Sequence, residues 1–334
     1  MVEFHLPETM EGWPWPRRIN PHYNEVKAES AAWFRSFNAF STKAQRAFDL
    51  CDFSLLASLA YPTLSKEHLR TSCDMMNLVF VFDEYTDIRG PDEVEQLANV
   101  VMDALRNPEK ERPAGECVVG EVARQFWHLG VQTASKTSQT RFLEVFDRYT
   151  KAVVDQARDR SAARMRTIEE YFEIRRLTIG TDPSYVPIEF AMDLPAEVYH
   201  HPTITALSLD VTDIILIDND LCSYNKEQAA GDDLHNIICI AMHELNLDLD
   251  GALAWVASVH RSRVAHFFEL WEQLQSMSWG PETDADVAIY LDGLANWVRA
   301  NDCWNFESGR YFGQEGVAIQ RHRTVELMPK AAAS

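Results

Sequence analysis

The sequence has 334 residues, 46 % of them hydrophobic, with 31 basic and 51 acidic side chains and a formal net charge of −20. That apolar content supplies a sizeable core and excludes a disordered chain except at the ends. The acidic excess argues against nucleic acid and anionic membrane as partners, and an anionic substrate would be repelled unless metal ions or a local basic cluster met it.

The start, MVEFHLPETM, has neither a basic stretch nor an apolar core, so no secretory leader is expected and the chain reads as soluble and cytoplasmic. No uninterrupted apolar stretch approaches the roughly 18 residues of a membrane span. WPWPRRINPHYNEV follows, with three prolines and two tryptophans. Proline breaks helix and strand alike, so residues 1–23 are read as an irregular arm whose tryptophans pack on the body.

From there helical periodicity dominates. Apolar residues recur at three- and four-residue spacing over 24–49, 66–82, 92–105, 117–131, 139–160 and 167–178, then over 203–230, 235–246, 248–277 and 284–311. Alternating strand patterns are nearly absent. Breaks fall at RNPEKERPAG, GTDPSYVP, DLPAEVYHHP and SWGPETD, none of them a long linker. The expectation is one all-α domain over 24–326, of about ten to twelve helices, with a disordered tail at 327–334. Six scattered cysteines without a C-x-x-C pair read as buried thiols in a reducing compartment.

Two stretches carry chemistry. In FVFDEYTDIRG an apolar run leads into Asp83, Glu84 and Asp87. Carboxylates this close repel one another, so the stretch is either a solvated helix end or half of a cation site. Phe80, one turn before Asp83, points toward the same side of a regular helix. In LSLDVTDIILIDNDLCSYNKEQAAGDD an apolar helix turns polar from Asp218. Asn219, Ser223 and Glu227 are spaced i, i+4, i+8 and fall within an arc of roughly 80°. An amide oxygen, a hydroxyl and a carboxylate on one face are hard-oxygen ligands suited to Mg²⁺. Lys226 points to nearly the same side. Asp210, Asp213 and Asp218 lie off that face and read as surface or capping groups. His200-His201 and MHELNLD fail the H-E-x-x-H spacing of a zinc protease.

Taken together, these motifs resemble those of the class I terpene synthases, in particular the single-domain microbial sesquiterpene synthases. Asp83-Glu84-Tyr85-Thr86-Asp87 is similar to the family's aspartate-rich motif in its D-E-x-x-D form. Asn219 through Glu227 is similar to the N-D-x-x-S-x-x-x-E triad, including Lys226. Arg310-Tyr311 matches the family's RY pair. Arg176 in RRLTIG sits near the place of a diphosphate-sensing arginine, and Gly180 near that of the small residue at a helix break. The likeness covers essentially the whole chain, with the four motifs in the family's order. Within the family it looks closest to basidiomycete enzymes that make Δ6-protoilludene by 1,11-closure.

The resemblance implies a class I terpenoid synthase α-helical bundle and a lyase acting on (2E,6E)-farnesyl diphosphate with three Mg²⁺ ions. It implies Asp83 as a bridging ligand, Asn219, Ser223 and Glu227 as the ligands of the third ion, and Asp87 as a direct or water-mediated contact. Glu84 is expected to pair with a base such as Arg310. Arg176, Lys226, Arg310 and Tyr311 would donate to the diphosphate, while Phe80 and Trp304 would line the pocket. The released diphosphate would take the final proton. A homodimer is common in similar proteins. The alternatives are a product of 1,10-closure, a chain-elongating prenyltransferase, or a non-catalytic prenyl-binding helical protein. The triad argues against the second, since such enzymes carry two aspartate-rich motifs, and the full ligand set with the RY pair argues against the third.

Overall fold

The computed structural model describes residues 3–330. A short strand, β1 (Glu3–His5), leads through the arm to α1 (Tyr23–Ser36), α2 (Thr42–Leu50), α3 (Phe53–Ala60), α4 (Lys66–Thr86) and α5 (Pro91–Arg106). Next come α6 (Val118–Gly130), α7 (Lys136–Ser161), α8 (Ile168–Thr178), α9 (Thr181–Tyr185) and α10 (Ala196–Tyr199). The chain ends with α11 (Pro202–Ala230), α12 (Ile237–Glu244), α13 (Leu249–Leu274), α14 (Pro281–Glu307), α15 (Gly316–His322) and β2 (Thr324–Glu326). The fold is all-α, as the periodicity predicts.

Local chemistry sets the helix starts. Ser41, Ser65, Ser135, Thr167 and Asp248 each accept a backbone N–H of the first turn that follows. Pro91, Pro202 and Pro281 occupy first-turn positions where no N–H is needed. The expected helix over 24–49 is two helices, because Asn38 takes a left-handed conformation (φ 51°) and Ser41 caps a new start. Helix α3 was not expected. All eight of its residues are buried, so FSLLASLA has no polar face to produce a period.

The long helices α4, α7, α11 and α14 surround a central cavity, with α11 packed on α13 and α14, and α4 on α1, α3 and α6. Two apolar cores result, and Ile179 and Tyr311 pack against both. The arm lies along α14. The Trp13 indole donates to the Ala295 carbonyl at 3.2 Å, that of Trp15 to Asp292 at 2.8 Å, and Arg17 forks onto Glu307 at 2.7 and 2.8 Å. The tryptophans therefore pack on the body as expected.

The arm is not wholly irregular, however. β1 pairs antiparallel with β2 in the register Phe4 opposite Val325, both buried. Three residues are too few to show alternation, and the partner lies at the far end of the sequence. The tail also departs from expectation. The Met328 N–H donates to Asn225 Oδ1 at 2.9 Å, and Gln228 donates to the Met328 carbonyl at 2.7 Å. Residues 331–334 of that tail lie outside the described residues. All six cysteines are free. No described helix is long and apolar enough to cross a membrane.

Candidate active site

The last turns of α4 and α11 open onto one cavity of about 280 Å³. Phe80, Asp83 and Glu84 face it from α4 and Asp87 from the C-terminal cap of that helix, with Asn219, Ser223, Lys226 and Glu227 facing it from α11. Gly180, Trp304, Arg310 and Tyr311 complete this part of the wall. The acid-rich stretch and the polar triad are thus brought together.

On the α4 side, Arg310 donates to Glu84 Oε1 at 2.9 Å and lies 3.7 Å from Asp83 Oδ2. The expected Glu84 pairing is therefore present. Asp87 stands 3.9 Å from Arg160, which also donates to the Thr86 and Arg89 carbonyls at 2.7 and 3.2 Å. Burial raises the pKa of Asp83. Burial, then the charges of Asp83 and Asp232, pushes Asp87 up to about 8.

On the α11 side, Asn219 accepts from Arg175 at 2.8 Å and donates to the Tyr311 hydroxyl at 2.8 Å. Asn236 donates to Glu227 at 2.9 Å and to Ser223 at 3.4 Å. Burial, reinforced by Asp220, raises Glu227 to about 7. Asp220 itself is fully buried and accepts from the Tyr171 hydroxyl, from Arg175 at 2.9 Å and from the Ile237 N–H at 2.7 Å. It ties the triad helix to α8 and α12.

Arg176 does not face the cavity. Its guanidinium forks onto Asp213 at 2.7 and 2.8 Å, two turns before Asp220 on α11. Arg175 is the arginine in the cavity wall. Neighbours in a helix point about 100° apart, so of the two adjacent arginines only Arg175 opens onto the cavity. The spacing of Arg175 four residues after Tyr171 is the signal that distinguishes them, since both meet Asp220. Gly180 breaks the helix between α8 and α9 with φ 78°, a conformation that glycine adopts without strain.

Asp210, Asp213 and Asp218 are not surface groups; all three are buried. Asp210 binds His266 at 2.7 Å, Asp213 lies 2.9 Å from Arg263 as well as on Arg176, and Asp218 lies 3.4 Å from His260. Helix α11 is enclosed on nearly every side, so its back face meets α8 and α13 instead of solvent.

The aromatic wall is built by Phe80, stacked on Phe53 with ring centres 3.8 Å apart, and by Trp304 at 5.7 Å from Phe80. The Trp304 indole is fixed by the Cys51 carbonyl at 2.7 Å. The sequence reading did not single out His235, which lines the cavity, bonds Thr178 at 3.2 Å and is kept neutral by burial and by Arg175. Nor did it single out Asp232, Tyr149 or Asn301, which share the wall.

Residues 74–266 match the family described as Terpene synthase family 2, C-terminal metal binding. A Delta(6)-protoilludene synthase of Stereum hirsutum is 56 % identical over 328 residues, 98 % of this chain and 88 % of that protein. One from Armillaria gallica is 53 % identical over 325 residues, 97 % of this chain and 94 % of that protein. The crystal structure of germacradien-4-ol synthase from Streptomyces citricolor superposes with a TM-score of 0.75 at 24 % identity, covering 87 % of this chain and 98 % of that one.

Proposed function

This chain belongs to the terpene synthase family, and from that membership we propose that it converts (2E,6E)-farnesyl diphosphate to Δ6-protoilludene by 1,11-closure through a humulyl cation, with three Mg²⁺ ions. The observation that carries the reading is the cavity. Hard-oxygen groups from two helices and a ring of diphosphate donors line it together with aromatic faces. The choice of product rests on the names of the relatives.

The donor set fits a metal. Asp87 and Glu227 are pushed up to about 8 and about 7 because they are buried among other carboxylates, a cluster short of positive charge. Oxygen donors of this kind suit a small hard cation. Asp83 and Asp87 would hold it from α4, and Asn219, Ser223 and Glu227 from α11. When bound, the metal supplies the Lewis-acid charge that makes diphosphate a leaving group.

The residues of the chain do the rest. Arg175, Lys226, Arg310 and Tyr311 donate to the diphosphate oxygens, the arginines through planar forks. Glu84 keeps Arg310 aimed at the mouth. Gly180 lets the chain turn at the cavity wall. Closing the mouth expels water that would otherwise capture the allylic cation as an alcohol. Phe80 and Trp304 present ring faces to the positive charge, each worth roughly 0.5–2 kcal/mol. The diphosphate left at the mouth accepts the last proton.

The test is gas chromatography–mass spectrometry of products from purified protein, farnesyl diphosphate and Mg²⁺. Δ6-Protoilludene is expected as the main product. A 1,10-derived hydrocarbon would overturn the mode of closure. Failure to release diphosphate would overturn the cyclase reading itself. The same proposal takes residues 24–326 as one catalytic domain in the cytoplasm, active as a homodimer, which sedimentation and a tagged chain can check.

A further inference from the structure

Asn301 lies on the cavity-facing strip of α14, four residues after Trp297 and three before Trp304. It is 5 % exposed, and its amide nitrogen has no hydrogen-bond partner among the described residues. Several other polar groups of that wall are engaged, although the Trp297 indole N–H one turn earlier on the same helix also lacks a partner. Ser184 donates to the Gly180 carbonyl at 2.7 Å, Thr181 bonds Thr212 at 3.1 Å and Thr178 bonds His235 at 3.2 Å. On the same helix, Asn296 donates to the Leu59 and Ala60 carbonyls at 2.9 and 3.0 Å. A buried amide left without a protein partner is costly and calls for an explanation.

An isoprenoid chain offers no acceptor to this amide. The cation formed from that chain offers positive charge, which the oxygen end of the amide attracts and its unpartnered N–H end repels, so the dipole has a direction. A fixed dipole in a water-excluded site acts most strongly on charge that develops during reaction. We propose that Asn301 is a specificity-determining residue of the cyclisation, its amide dipole setting which carbon carries the charge as the later rings close. The inference rests on the cyclase reading above.

The test compares Asn301→Leu, of similar size but apolar, with Asn301→Ala, which also frees volume. Both variants are expected to release diphosphate within about fivefold of the parent rate, while the main product's share falls at least about fivefold in favour of the same early-quenched hydrocarbons. A parental product spectrum in both, or a change in the alanine variant alone, overturns the proposal, because volume without polarity then explains it. If the melting transition shows that leucine is not accommodated, Asn301→Ser decides against Asn301→Ala. Serine is expected to recover about half of the lost share, and no recovery counts against the dipole. A parent that makes no cyclic product removes the cyclase reading; a parent that cyclises normally beside unchanged variants removes this inference alone.

Discussion

Arg175→Lys and Arg176→Lys are the same chemical change one residue apart, and the structure makes their outcomes opposite. Arg175 donates to Asn219 at 2.8 Å and to Asp220 at 2.9 Å. A lysine is a point charge without the planar fork, so it can serve Asp220 or Asn219 but not both while also meeting the diphosphate. One charge-assisted bond lost is worth about 1.5–3 kcal/mol. With the weakened grip on diphosphate the total comes to about 3–4 kcal/mol, or two to three decades in kcat/KM at about 1.4 kcal/mol per decade. Because the charge beside buried Asp220 is kept, the protein should still fold. Arg176 meets Asp213, which retains Arg263 at 2.9 Å and would retain the new lysine. Its replacement should change kcat/KM by less than about threefold. The assay is steady-state diphosphate release, with a melting curve for each variant. Equal losses, or a larger loss at Arg176, would refute the assignment of these two faces.

Asn219→Ala should reduce turnover by at least about a thousandfold, since it removes a proposed metal ligand together with the bond to Tyr311; near-normal turnover at saturating Mg²⁺ would take the triad out of the mechanism. Phe80→Ala should leave diphosphate release within about tenfold of the parent and raise the share of acyclic alcohols. An unaltered product mixture would reduce Phe80 to a packing partner of Phe53. Burial, then the charge of Asp218, raises Asp302 from 3.8 to about 7. The folded chain thus holds that proton more tightly than the unfolded one, and the associated stability, present below pH 4, is lost as pH rises toward 7. The loss is on the order of 3–4 kcal/mol. Denaturant melts across that range should show the slope, and Asp302→Asn should flatten it; an unchanged slope would exclude Asp302 as its source.

Much of this molecule is legible in the order of its residues because an amphipathic helix leaves a periodic trace. The helices at 91–106, 118–130 and 136–161 are of that kind, while the ends of α4 and α11 stand out by their polar residues. Where a segment is buried all round, as in α3, the trace vanishes. Where a pairing joins distant residues, as between Phe4 and Val325, no local pattern can carry it. The three polar residues of the proposed triad could be placed on one wall from spacing because all lie on one helix. Arg175 could not, because its identity depends on which of two adjacent positions on α8 opens onto the cavity. The misreading of Asp213 has the same origin: an acid off the ligand face is a surface group only if the helix has a surface there.

The pairing of β1 with β2 brings residues 3–5 against residues 324–326. Contacts so far apart along a chain close the largest loop and form late. During synthesis the helices bearing Asp83 and Asn219 leave the ribosome well before Arg310 and Tyr311 do. A growing chain can therefore carry the groups proposed to bind cations while still lacking two of the proposed diphosphate donors. On the proposed function, ionisation then waits until Arg310 and Tyr311 have been added.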